Sequence, residues 1–253
     1  MAPLPPAHNL VLNKFAVVPE HFILATAEVR PQTHVLEPED VDAAYACIEA
    51  YANADAAEDN GRDLFVFFNS GEHSGASQPH RHLQLLPVAR MRDGLESIES
   101  GDAWRVLTDT LTGHESEQGQ DRAPALPFTV FSAAISPDMS AGARHKAYVD
   151  LYRRAVSAVL APGTETEAPA SGEALISYNF AMTQTAMALC PRTAEGAAIT
   201  DRNGRPAGYV ALNGTLLAGT ALVKTQAEWD ALGADPGLLH GVLEKIGVGP
   251  SRL

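Results

Sequence analysis

Residues 71–87 read GEHSGASQPHRHLQLLP, and the folding of this stretch decides the rest of the chain. It holds a loop of small residues with glycine at 71 and 75, a proline, then His80, Arg81, His82, Leu83 and Gln84, and two leucines before Pro87. On a β-strand, alternate side chains share a face. His80, His82 and Gln84 then point one way, successive members ~6.6–7 Å apart for a rise of ~3.3–3.4 Å per residue. Arg81, Leu83 and Leu85 point the other way, with the leucines expected in a core and the polar trio lining an open surface or a cleft.

Three readings of the trio are open at this stage. It is a solvated strand face with two incidental histidines, a metal site, or a phosphate site. A transition-metal site built on a His-Xaa-His pair usually adds a carboxylate and a third histidine. Here no acid follows until Asp93, and the third in-register position is Gln84, a weak ligand, so no metal-binding residue is assigned. The phosphate reading uses every part of the stretch. Residues 69–78, NSGEHSGASQ, offer closely spaced backbone N–H groups that a small-residue loop can turn inward around an anion. Ser70, Ser74 and Ser77 add hydroxyls, Asn69 and Gln78 add amides, and glycine lets the backbone approach a ligand. A neutral imidazole beside a cradled phosphate is a nucleophile near pH 7, and its second ring nitrogen must then keep the proton. Gln84 can donate its amide to a phosphoryl oxygen as charge develops, without competing for phosphorus.

The whole chain narrows the partners. Its 253 residues are 45% hydrophobic, enough for a sizeable core, and the formal charge is −13. Such an acidic chain lacks the basic footprint that wraps nucleic acid, but it can still carry a local site for a small anion. Cys47 and Cys190 form no CxxC pair and are expected to be buried free thiols. The opening MAPLPPAHNL lacks a basic region followed by an apolar stretch, so no secretory signal is expected. No apolar run approaches the ~20 residues of a membrane span. The expected setting is intracellular, cytoplasmic or also nuclear.

Strand-like runs are expected at 10–18 (LVLNKFAVV), 21–27 (HFILATA), 64–69 (LFVFFN), 80–88 and 128–135 (FTVFSAAI). Only Pro19 and Glu20 separate the first two, suggesting a bend or tight hairpin. Helices are expected from Pro38, where Val41, Ala44, Tyr45, Ile48 and Ala52 keep an i, i+3, i+4 rhythm, and over 143–160. A turn is expected at 59–63 and a polar loop at 112–127. Residues 161–173, APGTETEAPASGE, read as a linker or surface loop. Strands follow in ALISYNFAMT, AMALCP, AGYVALN and TLLAGTALVK. Then come a capping box, Thr225 with Glu228, and a last helix from Asp235 and Pro236. Mixed blocks of strand and helix without strict alternation predict an α+β fold with a largely antiparallel sheet.

At this point the residues match a family. NSGEHSGASQPHRHLQLLP resembles the His-Xaa-His-Xaa-Gln branch of the histidine-triad superfamily, and most closely the fungal diadenosine tetraphosphate phosphorylases (ATP adenylyltransferases). LNKFAVVPEHFILAT, YNFAMTQTAMALCPR and LNGTLLAGTALVK are similar to other segments of that family. The resemblance implies a histidine-triad-like sheet with packed helices over 1–160, a connection at 161–173, and a smaller C-terminal α+β part over 174–253. It implies a nucleotidyltransferase that cleaves diadenosine tetraphosphate by phosphorolysis to ADP and ATP, through an adenylyl-histidine on His82. His80 would support His82, and Gln84 would contact phosphate. Asn13, Lys14, Asn69, Ser74, Gly75, Ala76, Ser77, Gln78, Asn213, Gly214, Thr215 and Lys224 would bind substrate. The implied partners are ATP, ADP, AMP or a diadenosine polyphosphate, and phosphate, with no nucleic acid and no membrane. No covalent cofactor is implied; Mg2+ or another divalent cation would come with the nucleotide. The family carries a longer N-terminal region with a further basic contact, so altered specificity, or a relative that binds without turnover, is the alternative. A local competitor stands beside several of these residues: Lys14 and Lys224 as surface charges, Asn213-Gly214 as a hairpin turn.

Overall fold

Strand β5 (His82–Pro87) is hydrogen-bonded on both sides, to β3 (Phe22–Thr26) and to β4 (Leu64–Ser70). Gln84 sits opposite Ile23 on one neighbour and Phe67 on the other, and His82 sits opposite Ala25. Outside β3 lie β2 (His8–Leu12) and β1 (Ala2–Leu4). Outside β4 lie β7 (Ser177–Met182), β8 (Ala186–Arg192) and β6 (Phe131–Ala134), which completes an eight-stranded sheet. Every pairing between these strands is antiparallel. The computed structural model describes residues 2–4, 7–54, 62–93, 95, 104–112, 126–160 and 168–250. Most of the expected loop at 112–127, residues 161–167 of the expected linker and residues 59–61 of the expected turn lie outside the described residues.

Period-two alternation sorts the sheet into two apolar faces. Leu83, Leu85, Val66, Phe68, Phe180 and Leu189 face α1 (Pro38–Asn53) and α4 (Ala141–Val159), which contribute Val41, Ala44, Tyr45, Ile48, Tyr148, Leu151 and Tyr152. Leu86, Phe65, Phe67, Ala181 and Ala188 face a smaller unit. That unit holds the hairpin β9 (Gly196–Thr200) and β10 (Pro206–Ala211), a 3-10 helix at Gly214–Ala218, and helices α5 (Gln226–Ala234) and α6 (Gly237–Ile246). Two short helices, α2 (Val88–Arg92) and α3 (Leu107–Leu111), fill the remaining rim. The smaller unit covers the β4, β7 and β8 part of its face and leaves part of β3 and β5 open. No helix among the described residues is long and apolar enough to cross a membrane.

The α+β, mostly antiparallel architecture is the expected one, with local differences. The run LVLNKFAVV leaves the sheet at Leu12. One further backbone bond follows, from the Asn13 N–H to the His21 carbonyl at 2.8 Å, and the Asn13 side chain then accepts the Phe15 backbone N–H at 2.9 Å in a local turn. The connection from β2 to β3 is therefore a loop over 13–21, not a tight hairpin. TLLAGTALVK is not a strand. The Asn213 carboxamide accepts the Thr215 N–H at 3.0 Å and caps a 3-10 helix, which stops at Gly219 with φ +79°. A short apolar run without alternation does not distinguish strand from helix. Strand β9 is a further element that the sequence reading lacked.

Arg81 occupies the strand position that faces away from His82, and its side chain is 1% exposed. A buried guanidinium needs a partner, and α1 supplies one: Arg81 Nη1 donates to Asp40 Oδ2 at 2.7 Å, while His8 Nε2 lies 2.8 Å from Asp40 Oδ1. Burial alone would raise the Asp40 pKa. The His8 hydrogen bond, the Glu37 backbone N–H and the Arg81 charge outweigh it, and the net direction is down. A lowered carboxyl pKa adds stability above the group's ordinary value of 3.8, and that stability is lost as pH falls through the folded-state value. Asp40→Ala leaves the buried Arg81 only the Glu37 carboxylate, 3.8 Å away, and is expected to cost about 3 kcal/mol in urea denaturation at neutral pH, with the mutant's deficit shrinking at acid pH.

Candidate active site

The open part of the sheet is the floor of a cleft of about 490 Å3, a size that suits a small-molecule ligand. Ile23, Ala25, Phe67, His82 and Gln84 pave it; Asn13, Phe15 and Val17 form one wall, Ser77, Gln78 and His80 another, and Asn213, Thr215 and Leu222 a third. Ala25 is the cross-strand neighbour of His82, and its small side chain leaves room above the imidazole.

The backbone fixes the protonation of His82. Its Nδ1 lies 2.8 Å from the His80 carbonyl oxygen, which can only accept. Nδ1 therefore carries the proton, and Nε2 is left with a lone pair. Burial lowers the pKa of His82, against a smaller opposing effect of that hydrogen bond, so the ring is neutral at physiological pH. Gln32 clamps the same residue: its Oε1 accepts the His82 N–H at 2.8 Å, and its Nε2 donates to the carbonyls of Asn69 at 2.8 Å and His82 at 3.2 Å. His80 Nε2 lies 2.9 Å from the Thr26 carbonyl and 3.2 Å from that of Glu28. That nitrogen is spent as a donor, which argues against a shared metal with His82. Among the described residues, no group of three His, Cys, Asp or Glu could hold a metal ion.

The glycine-serine loop leaves several backbone donors unpaired. Among the described residues, none accepts a hydrogen bond from the backbone N–H of Gly75, Ala76, Ser77 or Gln78. Gly75 has φ +76°, and a Cβ there would meet the Asn213 Cβ at 2.9 Å, so glycine both turns the chain and lets it press on the smaller unit. Ser74 does not line the cleft; its hydroxyl donates to the Gly71 carbonyl at 2.7 Å and shapes the loop.

Asn69 also stands behind the surface, as a hub. Its Oδ1 accepts from Asn179 Nδ2 at 2.8 Å and from the Gly214 N–H at 2.8 Å. A side chain at 214 would collide with Phe67 and Asn69, so the glycine serves this close approach and not a hairpin turn. Asn179 also donates to the Ser74 carbonyl at 2.8 Å and accepts from Arg192. Arg192, which the sequence reading passed over, is 3% exposed and gives its other hydrogens to the carbonyls of Ala194, Glu195, Leu212 and Ile246. Burial pulls its pKa down to about 10, which still leaves it cationic.

Lys14 and Lys224 are exposed and lie outside the cleft lining; the Lys14 ammonium rests 5.6 Å from the Phe15 ring centroid. His21, Gln32, Thr26 and Asn179 are residues that sequence reasoning missed, and Arg192 is one that it left unassigned. Gln32 sits on a loop and Arg192 at a strand end, where periodicity carries no signal.

Residues 1–98 match the Ap4A phosphorylase N-terminal domain, and residues 124–249 match the ATP adenylyltransferase C-terminal domain. The chain belongs to the Ap4A phosphorylase family. It is similar to diadenosine 5',5'''-P1,P4-tetraphosphate phosphorylase 2 of Saccharomyces cerevisiae, with 28% identity over 241 residues, 95% of this chain and 69% of that one. Protein APA1 of the same yeast is 44% identical over 82 residues, 32% of this chain and 24% of that one. The crystal structure of yeast Ap4A phosphorylase Apa2 in complex with AMP is 26% identical, with a TM-score of 0.70 over 97% of this chain and 75% of that one. The complex of the same enzyme with Ap4A gives 25% identity and a TM-score of 0.68, over 96% and 74%. The two family segments meet at the cleft: the Ap4A phosphorylase N-terminal segment carries Asn13, His82 and Gln84, and the adenylyltransferase segment carries Asn213 and Thr215.

An NMR pH titration of the His82 ring is expected to give a midpoint below the ordinary value of 6.5, with the Nδ1–H form on the basic side.

Proposed function

We propose that this chain is a nucleotidyltransferase that cleaves diadenosine tetraphosphate by phosphorolysis, through a covalent adenylyl group on His82. The observation that carries the proposal is the neutral His82, with Nδ1–H held by the His80 carbonyl and Nε2 unprotonated, in a cleft also lined by Ser77 and Gln78, whose backbone N–H groups are unpaired among the described residues. Nε2 attacks the α-phosphorus, the bond to the bridging oxygen breaks, and ATP leaves. The leaving oxygen departs as a phosphate anion, so it needs no general acid, which suits a neutral Gln84 where a proton donor would otherwise stand. The ring gains positive charge on attack, and the Nδ1–H to carbonyl bond strengthens with it. Inorganic phosphate then attacks the same phosphorus, ADP forms, and His82 regains its lone pair. The N–H groups of residues 75–78 and the amide of Gln84 receive the phosphoryl oxygens. Phe15, Ile23 and Leu222 offer apolar contact to a nucleoside, and Asn13, Asn213 and Thr215 offer it polar groups.

Intact-protein mass after brief mixing with diadenosine tetraphosphate, phosphate omitted, tests the route. Wild type is expected to gain one adenylyl group, which added phosphate discharges as ADP, and His82→Ala to gain none. Binding without an adduct or product would leave a nucleotide-binding relative; discharge to AMP without phosphate would make water the acceptor.

A divalent cation such as Mg2+ would travel with the nucleotide. Among the described residues no Lys or Arg lines the cleft, and the chain carries a net charge of −13, so a tetraphosphate meets little protein charge there to neutralise it. Chelation by EDTA is expected to lower turnover at least about tenfold, with Mg2+ restoring it, while AMP affinity changes far less.

A further inference from the structure

His21 is 3% exposed, sits next to β3 and has no role in the steps above. Its Nε2 lies 3.0 Å from Gln84 Oε1, and its Nδ1 lies 3.4 Å from the Val17 backbone nitrogen. Asn13 Nδ2 lies 3.3 Å from both ring nitrogens and does not by itself choose between the tautomers. The backbone gives this chain of contacts its direction, because a backbone N–H can only donate. The Phe15 N–H occupies Asn13 Oδ1, which turns the Asn13 amide nitrogen toward the imidazole. The Val17 N–H points at Nδ1, which must accept. His21 is thus the neutral Nε2–H tautomer and donates to Gln84 Oε1. Burial, which lowers its pKa against a smaller effect of the Gln84 bond, favours the same neutral form.

We infer that His21 is a positioning residue that sets the rotamer sense of the Gln84 amide. With Oε1 taken by His21, the amide nitrogen of Gln84 is the end presented to the cleft, as a donor toward a phosphoryl oxygen. Without His21, either end of the amide can face the cleft, and the flipped form sets a carbonyl oxygen against an anionic oxygen. The chain from Phe15 and Val17 through Asn13 and His21 to Gln84 thus makes the 13–21 loop part of the machinery, although its own polar atoms never touch phosphorus. This inference rests on the proposed adenylyl transfer for its kinetic consequence, though not for its structural one.

The test uses full-length wild type, His21→Leu, His21→Gln, Gln84→Ala and the double variant His21→Leu/Gln84→Ala, each checked for folding by thermal denaturation. A glutamine at 21 reaches the Nε2 position with an amide donor. His21→Leu is expected to lower kcat about 10–100-fold with KM changed less than about threefold, and His21→Gln to recover most of that loss. In the Gln84→Ala background, His21→Leu is expected to cost nothing further. Additive losses in the double variant, or a His21→Gln variant as poor as His21→Leu, would overturn the inference. Two NMR observations decide it if wild type shows no turnover at all, in which case the adenylyl-transfer reading fails by itself. A long-range 15N spectrum is expected to show His21 as the Nε2–H tautomer. The Gln84 side-chain NH2 is expected to shift on adding AMP in wild type and to stay unshifted in His21→Leu. An Nδ1–H tautomer, or a Gln84 amide indifferent to AMP in wild type, would sink the proposal regardless of activity.

Discussion

A pleated strand gives each face only every second side chain, and β5 spends both of its faces. On one face Arg81 is buried against Asp40 and His8, with Leu83 and Leu85 in the helix-covered core. On the other face His82 and Gln84 stand in the cleft and Leu86 disappears under the smaller unit. A slip of one residue would put the imidazole among leucines and the guanidinium in the cleft. Pairing with β3 on one side and β4 on the other, at fixed register, removes that freedom. The ion pair adds to it, because Arg81 has a charge partner only in the observed register.

The wall of the cleft that carries Asn213 and Thr215 is built by polar contacts, not by covalent continuity. Asn69 on β4 holds Asn179 on β7 and the backbone of Gly214, and Arg192 holds Asn179 together with carbonyls from the smaller unit. A guanidinium with five hydrogens can tie several carbonyls at once, which a lysine cannot do in a fixed geometry. The arrangement places Asn213 and Thr215 in the same cleft as the histidine strand, and the glycine-serine loop leans on that wall through Gly75. Residues far apart in sequence, one group ahead of 98 and the other after 124, thus share one small cleft.

Histidine chemistry in this cleft is controlled by backbone groups. The carbonyl of His80 sets the tautomer of His82, and the N–H of Val17 sets that of His21. The two rings have opposite tautomers: His82 keeps its bare nitrogen toward the cleft, and His21 turns a proton toward Gln84. Burial holds both rings neutral, so neither competes with the other for a proton near pH 7.

The order of most elements, the two-faced reading of residues 80–88 and the glycine turn at 75 were legible because short-range physics writes them. Alternation marked β5, the i, i+3, i+4 rhythm marked α1, and the spacing of Thr225 and Glu228 marked the start of α5. The run at 215–224 misled because an apolar stretch without a period fits a strand or a helix, and only the Asn213 cap and the burial of Leu216 and Leu217 in the core that holds Phe67 chose the 3-10 form. His21, Gln32 and Arg192 were not legible, since each acts on a partner brought near by sheet pairing or by docking of the smaller unit. The sequence by itself determined which side chains share the β5 face and where the small-residue loop ahead of it turns, because those follow from a two-residue period and from glycine. Only the tertiary structure decided which nitrogen of each histidine carries the proton and which polar groups face the cleft, because those depend on backbone donors and acceptors supplied by other parts of the chain.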